Sequence, residues 1–210
     1  AVLTVVGSNP EGELVTRGLY IGDDHATFER AARLAAEVNF TQVAEPLDNV
    51  VVYLDPDEFH TTWLGNKSIY RTRMAMADGG RLTVLAPGVR GFGEDGEIDE
   101  LIRRYGYHNT PDIMAAMEAN PDLQANLSAA AHLIHGSSEG RFEVVYCPGG
   151  LTRDEVQGVG YNYGELDAAL AHYGAPGLRD GWNRAADGES FFYIGNPALG
   201  LWASQERMSG

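Results

Sequence analysis

Apolar residues recur in this chain with two periods, and the switches between them predict its elements. The opening VLTVV is an apolar run ended by the turn cluster Gly7-Ser8-Asn9-Pro10, and Leu14–Ile21 reads as its hairpin partner. From Asp24 the spacing changes. Phe28, Ala31, Ala32, Ala35 and Val38 recur at helical intervals, with Glu29, Arg30, Arg33 and Glu37 mostly opposite, which predicts an amphipathic helix. NVVVYL is an unbroken β-branched run of the kind buried on both faces of a parallel sheet. A helix over 63–77, a stop at Asp78-Gly79-Gly80 and a second buried strand in RLTVLAP complete a βαβ unit, for which a right-handed crossover is expected.

Further along, 97–105 and 123–134 read as helices, the second led in by Asn120-Pro121, with a turn starting at Thr110-Pro111-Asp112 between them. FEVVYC is another strand, Thr152 and Glu155 have capping-box spacing, 163–173 is helical, and FFYIGNP is a last strand. The alternation predicts an α/β fold: a layered α/β/α domain over 46–210 with a mostly parallel or mixed sheet. Residues 1–45, a hairpin and a helix, form a small linker-like region before it.

Composition narrows the function classes. A chain of 210 residues is long enough for a substantial core. Its 15 basic against 30 acidic residues give a net charge of −15, a potential that repels phosphate backbones and anionic lipid. Nucleic-acid and membrane partners are therefore not expected. Hydrophobic content of 44 % argues against disorder, and no apolar run approaches the length of a bilayer span. A single cysteine, Cys147, excludes an intrachain disulfide and any multi-cysteine metal site, which fits a reducing, cytoplasmic compartment. The opening AVLTVVGSNP has no basic n-region or cleavage pattern and starts with Ala rather than Met.

Candidate chemistry gathers beyond the strand ends. In open α/β sheets ligands bind outside the carboxyl ends of the strands, where glycine lets the backbone come close. Gly88-x-x-Gly91-x-Gly93 follows RLTVLAP directly, although its spacing and the neighbouring Glu94, Asp95 and Glu97 favour a plain turn over a phosphate cradle. Beyond the other buried strand lies 58–67, where Lys67 is placed to contact an anion or carboxylate or to serve as a solvated helix-face lysine. His132 and His135 are spaced i, i+3, and His108 is a possible third ligand, but helix-end histidines are the preferred reading. Cys147 closes a buried strand and reads as an inert core thiol.

The order of segments resembles the C-terminal half of the nickel-dependent lactate racemase family. The resemblance is carried by Asn66-Lys67 on the helix before GRLTVLAPG, then Gly91-Phe92-Gly93, the Pro121-Asp122 helix and FEVVYC. It runs from the opening strand to about Tyr173, with 196–202 similar to the close of such chains. The resemblance implies a nickel-pincer nucleotide cofactor and a mechanism in which hydride leaves the α-carbon of a 2-hydroxy acid and returns to either face. It also implies that the tethering lysine, the nickel-binding histidine and the proton-transfer histidines belong to an N-terminal lobe with no matching block here, so no metal ligand is expected in this chain.

Carried onto this sequence, the resemblance implies a catalytic role for Lys67, which sits twelve residues before Gly79. Trp63, Gly91 and Gly93 are expected to touch cofactor, and Leu64, Asn66, Gln124 and Asn126 to touch substrate. Leu64 stands where lactate racemase has a glutamine, which shifts the expected substrate from lactate to a larger or less polar 2-hydroxy acid. The expectation is a closing lobe, inactive without the N-terminal lobe. The alternative is a stand-alone, non-catalytic α/β binding or assembly domain. A closing lobe should expose an apolar or glycine-lined patch around Trp63 and Gly91 to Gly93, which a self-sufficient domain should cover. A third reading, a metal enzyme built on His108, His132 and His135, ranks last.

Overall fold

The computed structural model describes residues 1–9 and 13–208. Strands β1 (Val2–Ser8) and β2 (Leu14–Ile21) form the expected antiparallel hairpin; Pro10 of its turn lies outside the described residues. The helix His25–Asn39 packs on one face of it, started by Asp24, whose carboxylate accepts from the Thr27 amide at 2.6 Å. Thr27 and Ala31 are the buried residues of this helix, and Phe28, expected on the apolar face, is exposed. The hairpin's other face stays open, with Val2, Leu14, Leu19 and Ile21 all exposed.

Strand β3 (Phe40–Val43) follows, and then β4 (Leu47–Tyr53) enters the main sheet. Its neighbour β5 (Met76–Ala86) runs parallel, with Val50 to Tyr53 opposite Leu82 to Leu85. The chain continues through β6 (Glu143–Pro148), β7 (Asn162–Tyr163), β8 (Gly181–Arg184), β9 (Ser190–Ile194) and β10 (Leu201–Ser204). The six-stranded sheet has the order β7-β6-β5-β4-β9-β8, all parallel except β8, which pairs antiparallel with β9. The mixed α/β class is thus as the periodicity indicates. Strand β10 pairs in parallel with β3, so residues 1–45 and 46–210 share a two-stranded sheet.

Two apolar faces of the sheet need cover. On one, Val50, Val52, Leu54, Leu82, Val84, Val144, Tyr146, Phe192 and Ile194 form the main core with the helices Gly96–Tyr105, Thr110–Ala119 and Leu127–His135. On the other, Val51, Leu85, Cys147, Phe191 and Tyr193 pack under the helix Leu166–Tyr173. The capping box predicted at Thr152 and Glu155 is formed, starting the helix Arg153–Gly158.

Between β4 and β5 the structure departs from the expected single helix over 63–77. Two four-residue helical turns, Thr62–Gly65 and Lys67–Tyr70, share Asn66 as a cap, and the chain becomes extended again at Met76. Asp78-Gly79-Gly80 lies inside β5 rather than ending a helix. The Gly79 amide bonds to the Arg141 carbonyl at 2.6 Å, and Arg141 donates to Asp78, Arg73 and Met76, so tertiary hydrogen bonds override the local stop signal.

At the carboxyl edge of the sheet the loops lie backbone on backbone. Gly149 donates to the Ala86 carbonyl at 3.0 Å and Gly150 to the Val89 carbonyl at 2.9 Å. A Cβ on Gly149 would lie 2.0 Å from the Pro87 oxygen, and one on Gly88 would lie 2.7 Å from Pro56 backbone atoms. Gly149→Ala should therefore cost about 1–3 kcal/mol in urea unfolding. Gly96→Ala, with no atom within 4 Å of the added Cβ, should instead stabilise by about 0.5–1 kcal/mol.

Candidate functional site

The strand order reverses at β4: the chain leaves it toward β5 on one side and returns as β9 on the other. In an open α/β sheet that reversal leaves a crevice outside the carboxyl ends of the two strands. Here the two post-strand segments meet there. Asn196, after β9, donates from Nδ2 to Glu58 Oε2 at 3.0 Å, after β4. The turn Lys67–Tyr70 packs on Pro197–Leu199, and Arg71 Nη1 fastens it by donating to the carbonyls of Ala198 and Gly200 at 2.9 and 3.1 Å.

Lys67 stands on that turn, half-buried, with Nζ 6.0 Å from the centroid of the buried Phe59 ring. It is the only lysine in the sequence. Among the described residues no carboxylate pairs with it and no acceptor takes a hydrogen bond from it. An ammonium half-withdrawn from water and without a counter-ion is a ready partner for an anionic ligand, since each desolvated unpaired charge carries a free-energy penalty that a carboxylate relieves.

Behind the turn lies a buried polar network. Thr62 Oγ1 donates to the Phe92 carbonyl and shares a 2.7 Å hydrogen bond with the Tyr107 hydroxyl, which also bonds His132 Nε2 at 3.1 Å. Trp63 lies against the His132 ring, centroids 4.5 Å apart. Asn66 is fully buried and donates to the Tyr161 hydroxyl at 3.1 Å, which in turn donates to the Gly136 carbonyl at 2.7 Å. Tyr107, Tyr161 and Tyr146 stack in near-parallel planes. The network fixes the turn from beneath: Gly65 leaves room for the Tyr146 hydroxyl, 2.7 Å from where its Cβ would be, and Gly136 leaves room for Asn66 and Tyr107.

The structure brings Trp63, Leu64 and Lys67 together on the two helical turns after β4, with Trp63 and Leu64 half-buried against the core. Asn66 belongs to the same segment but faces inward, so its amide braces the turn and is not presented to the crevice. Gly91 and Gly93 run beside it: the amides of Thr62 and Trp63 bond to the carbonyls of Gly91 and Phe92. The amides of Phe92 and Gly93, however, are already bonded by Asp99 Oδ1 at 2.7 and 3.2 Å. A Cβ on Gly93 would lie 2.3 Å from the Asp99 nitrogen, so this glycine serves contact between loop and helix. Gln124 is exposed on the helix Pro121–Ala125, and Asn126 caps the next helix through Ala129 while donating to Glu97.

The three histidines do not assemble. His132 is inside the core, His135 lies against Tyr70 and His108 is exposed; the one cluster of three potential ligands among the described residues is elsewhere. Cys147 is buried, and burial pushes its thiol up to about 12, as an inert core thiol requires. In place of the expected exposed patch, Trp63, Leu64, Gly91 and Gly93 are each half-buried, while Leu199, on the segment packed against the Lys67 turn, is exposed; most other large exposed apolar side chains lie on the hairpin, at Trp182 and on outer helices. Among the described residues no helix is long and apolar enough to cross a membrane.

A mostly parallel α/β sheet with one unpaired lysine near its reversal point defines an α/β fold class rather than a particular activity. No protein-family model matches the chain, and no curated protein matches its sequence. Solved structures do. A crystal structure of a Thermotoga maritima protein superposes with a TM-score of 0.72 at 21 % identity, covering 97 % of this chain and 48 % of that one. The lactate racemase apoprotein from Thermoanaerobacterium thermosaccharolyticum superposes with a TM-score of 0.61 at 14 % identity, covering 96 % of this chain and 46 % of that one. The likeness is one of fold, and this chain spans about half the length of either.

His132 ties the site to pH. Burial and the neighbouring His135 lower its pKa from 6.5 to about 4, so the native state holds it neutral while the unfolded chain protonates it at higher pH. Its contribution is therefore complete above about pH 6.5 and is lost as the pH falls toward 4, about 3 kcal/mol in all. Urea titrations across this interval should show the loss, and His132→Gln should flatten it while lowering stability at pH 7.

Proposed function

We propose that the chain is one lobe of a nickel-pincer-nucleotide-dependent racemase or epimerase of 2-hydroxy acids, closing over cofactor and substrate held by an N-terminal lobe of the same protein. The observation that carries this reading is Lys67: a sole, half-buried, unpaired ammonium at the reversal point of a sheet whose fold is that of half a lactate racemase. Bound in the other lobe, the pincer group would supply the hydride acceptor and donor. The residues here fit it in part. Lys67 suits a carboxylate of substrate or cofactor, and Trp63 offers an aromatic edge, whereas the Phe92 and Gly93 amides are taken by Asp99 and hold no anion.

In this reading Lys67 anchors the carboxylate and stabilises negative charge that grows on the substrate during transfer. Leu64 presents an apolar wall, which suits a 2-hydroxy acid less polar than lactate. Asn66, Thr62 and Tyr107 keep the lysine-bearing turn in place, the pre-organisation that lets a single ammonium act without rearrangement. Asn126 is engaged by its helix cap and by Glu97, and Gln124 is exposed on the short helix before it, so this reading assigns no step to either.

A second reading, a non-catalytic binding domain, is favoured by one observation: Trp63 is half-buried against the core and the 91–93 loop is bonded to the Thr62 and Trp63 amides, so the chain itself partly closes this edge. The two readings part in the two-lobed protein produced together with the enzymes that make the cofactor. The lobe reading expects bound nickel, racemisation of a 2-hydroxy acid, and a fall of about 10²–10³-fold in kcat/KM for Lys67→Ala. Racemisation by the isolated chain would overturn it, and a cofactor-free full-length protein would favour the binding domain.

A further inference from the structure

We propose a second site, on the opposite side of the sheet from the main core: His172, Asp187 and Glu189 form a binding site for a borderline divalent metal ion such as Zn²⁺. One nitrogen or oxygen from each of the three lies within 4.8 Å of the others. They come from two elements. His172 is in the last turn of the helix Leu166–Tyr173, and Asp187 and Glu189 flank Gly188 in the turn between β8 and β9. The backbone already joins the two elements, for the Ala186 amide donates to the His172 carbonyl at 2.8 Å.

The second observation is electrostatic. Two carboxylates are held side by side, and among the described residues neither is in a salt bridge, although the Arg81 guanidinium lies close enough to Glu189 to feel its charge. The nearby cations are otherwise engaged: Arg184 donates to the Gly188 carbonyl at 3.1 Å and Arg81 pairs with Glu143 at 3.1 Å. Among the described residues neither forms an ion pair within 4.0 Å with Asp187 or Glu189. The His172 ring touches Tyr173 edge-on; among the described residues it has no hydrogen-bond partner and the Glu189 carboxylate accepts no hydrogen bond, while Asp187 spends one oxygen on the Glu189 amide. Lone pairs on three side chains thus converge unused, beside the carbonyl end of a helix, where the dipole adds to the attraction for a cation.

Ligand chemistry selects the ion. Two carboxylates and one imidazole suit Zn²⁺ and its borderline neighbours, whereas Ca²⁺ and Mg²⁺ require shells of oxygen. Ligand–metal distances of about 2.0–2.2 Å need only a modest inward rotation of side chains that are exposed or half-exposed. Water completes the coordination. The role of such an ion is mechanical: it clips the β8–β9 turn to the one helix that covers the second apolar face, over Val51, Leu85, Cys147 and Phe191.

The test uses the full chain stripped of metal and dialysed against micromolar Zn²⁺ in millimolar Mg²⁺. One zinc per chain is expected, with binding at least tenfold weaker in His172→Ala and in Asp187→Asn, and unchanged in Glu118→Gln, an exposed acid on another helix. At a hundredfold excess over Kd the thermal midpoint should rise by about 5–10 °C, and not in the two variants. Because His172 is one of six histidines, its ring signals alone should shift in NMR spectra on adding Zn²⁺. Equal zinc affinity in all variants, no stoichiometric binding, or shifts at His132 and His135 instead would overturn the proposal.

Discussion

Everything in this molecule answers to the burial of β4. Val50, Val51 and Val52 are fully enclosed, and β4 hydrogen-bonds to a parallel strand on each side. A strand with no solvent face needs a layer above and a layer below, and a parallel neighbour needs a long crossover. The crossover from β4 to β5 is spent on the two helical turns that carry Trp63 and Lys67. The crossover from β5 to β6 is spent on the helices of the main core. The site is a by-product of covering the sheet, which is why it sits on the first segment that leaves its central strand.

The same constraint explains why the glycines beyond the strands do not cradle a phosphate. Three parallel strands that stop together send three loops into one small space. Gly88, Gly93 and Gly149 let those loops touch through their backbones, and the amides that might have faced a ligand are used to hold loop to loop or loop to Asp99. The other flank of β4, where β9 returns, is held by side chains instead. There Asn196 bonds Glu58 and Arg71 bonds the Ala198 and Gly200 carbonyls, and Lys67, between these ties, has no ion-pair partner among the described residues.

How far the chain could be read in advance follows from how local each signal is. NVVVYL, RLTVLA and FEVVYC announce β4, β5 and β6 because a strand buried on both faces is apolar throughout. Strands β3 and β10 were invisible: FTQV and LWAS are short and are strands only because they pair with each other across the chain. The helix expected over 63–77 breaks because Asn66 and Arg141 make distant hydrogen bonds that no periodicity encodes. Among site residues, Lys67 was legible as a cation just past a buried strand. The inward turn of Asn66 was not, since it depends on Tyr161, 95 residues away. His172, Asp187 and Glu189 follow no ligand spacing and meet only because β8 and β9 form a hairpin against the helix before them.

Charge sets the last condition on the site. With a net charge of −15, the chain as a whole repels a carboxylate ligand, and Asp55, Asp57 and Glu58 are exposed on the segment before Lys67. At physiological ionic strength charges beyond about 8 Å are largely screened, so distant acids matter less than those neighbours. On an open face, one ammonium among such acids holds a carboxylate weakly, because solvent dilutes its field. Covering that face with a second surface removes water and strengthens the attraction without any new charge. Under the proposed reading the lysine is half of a site, effective only once another wall has closed on it.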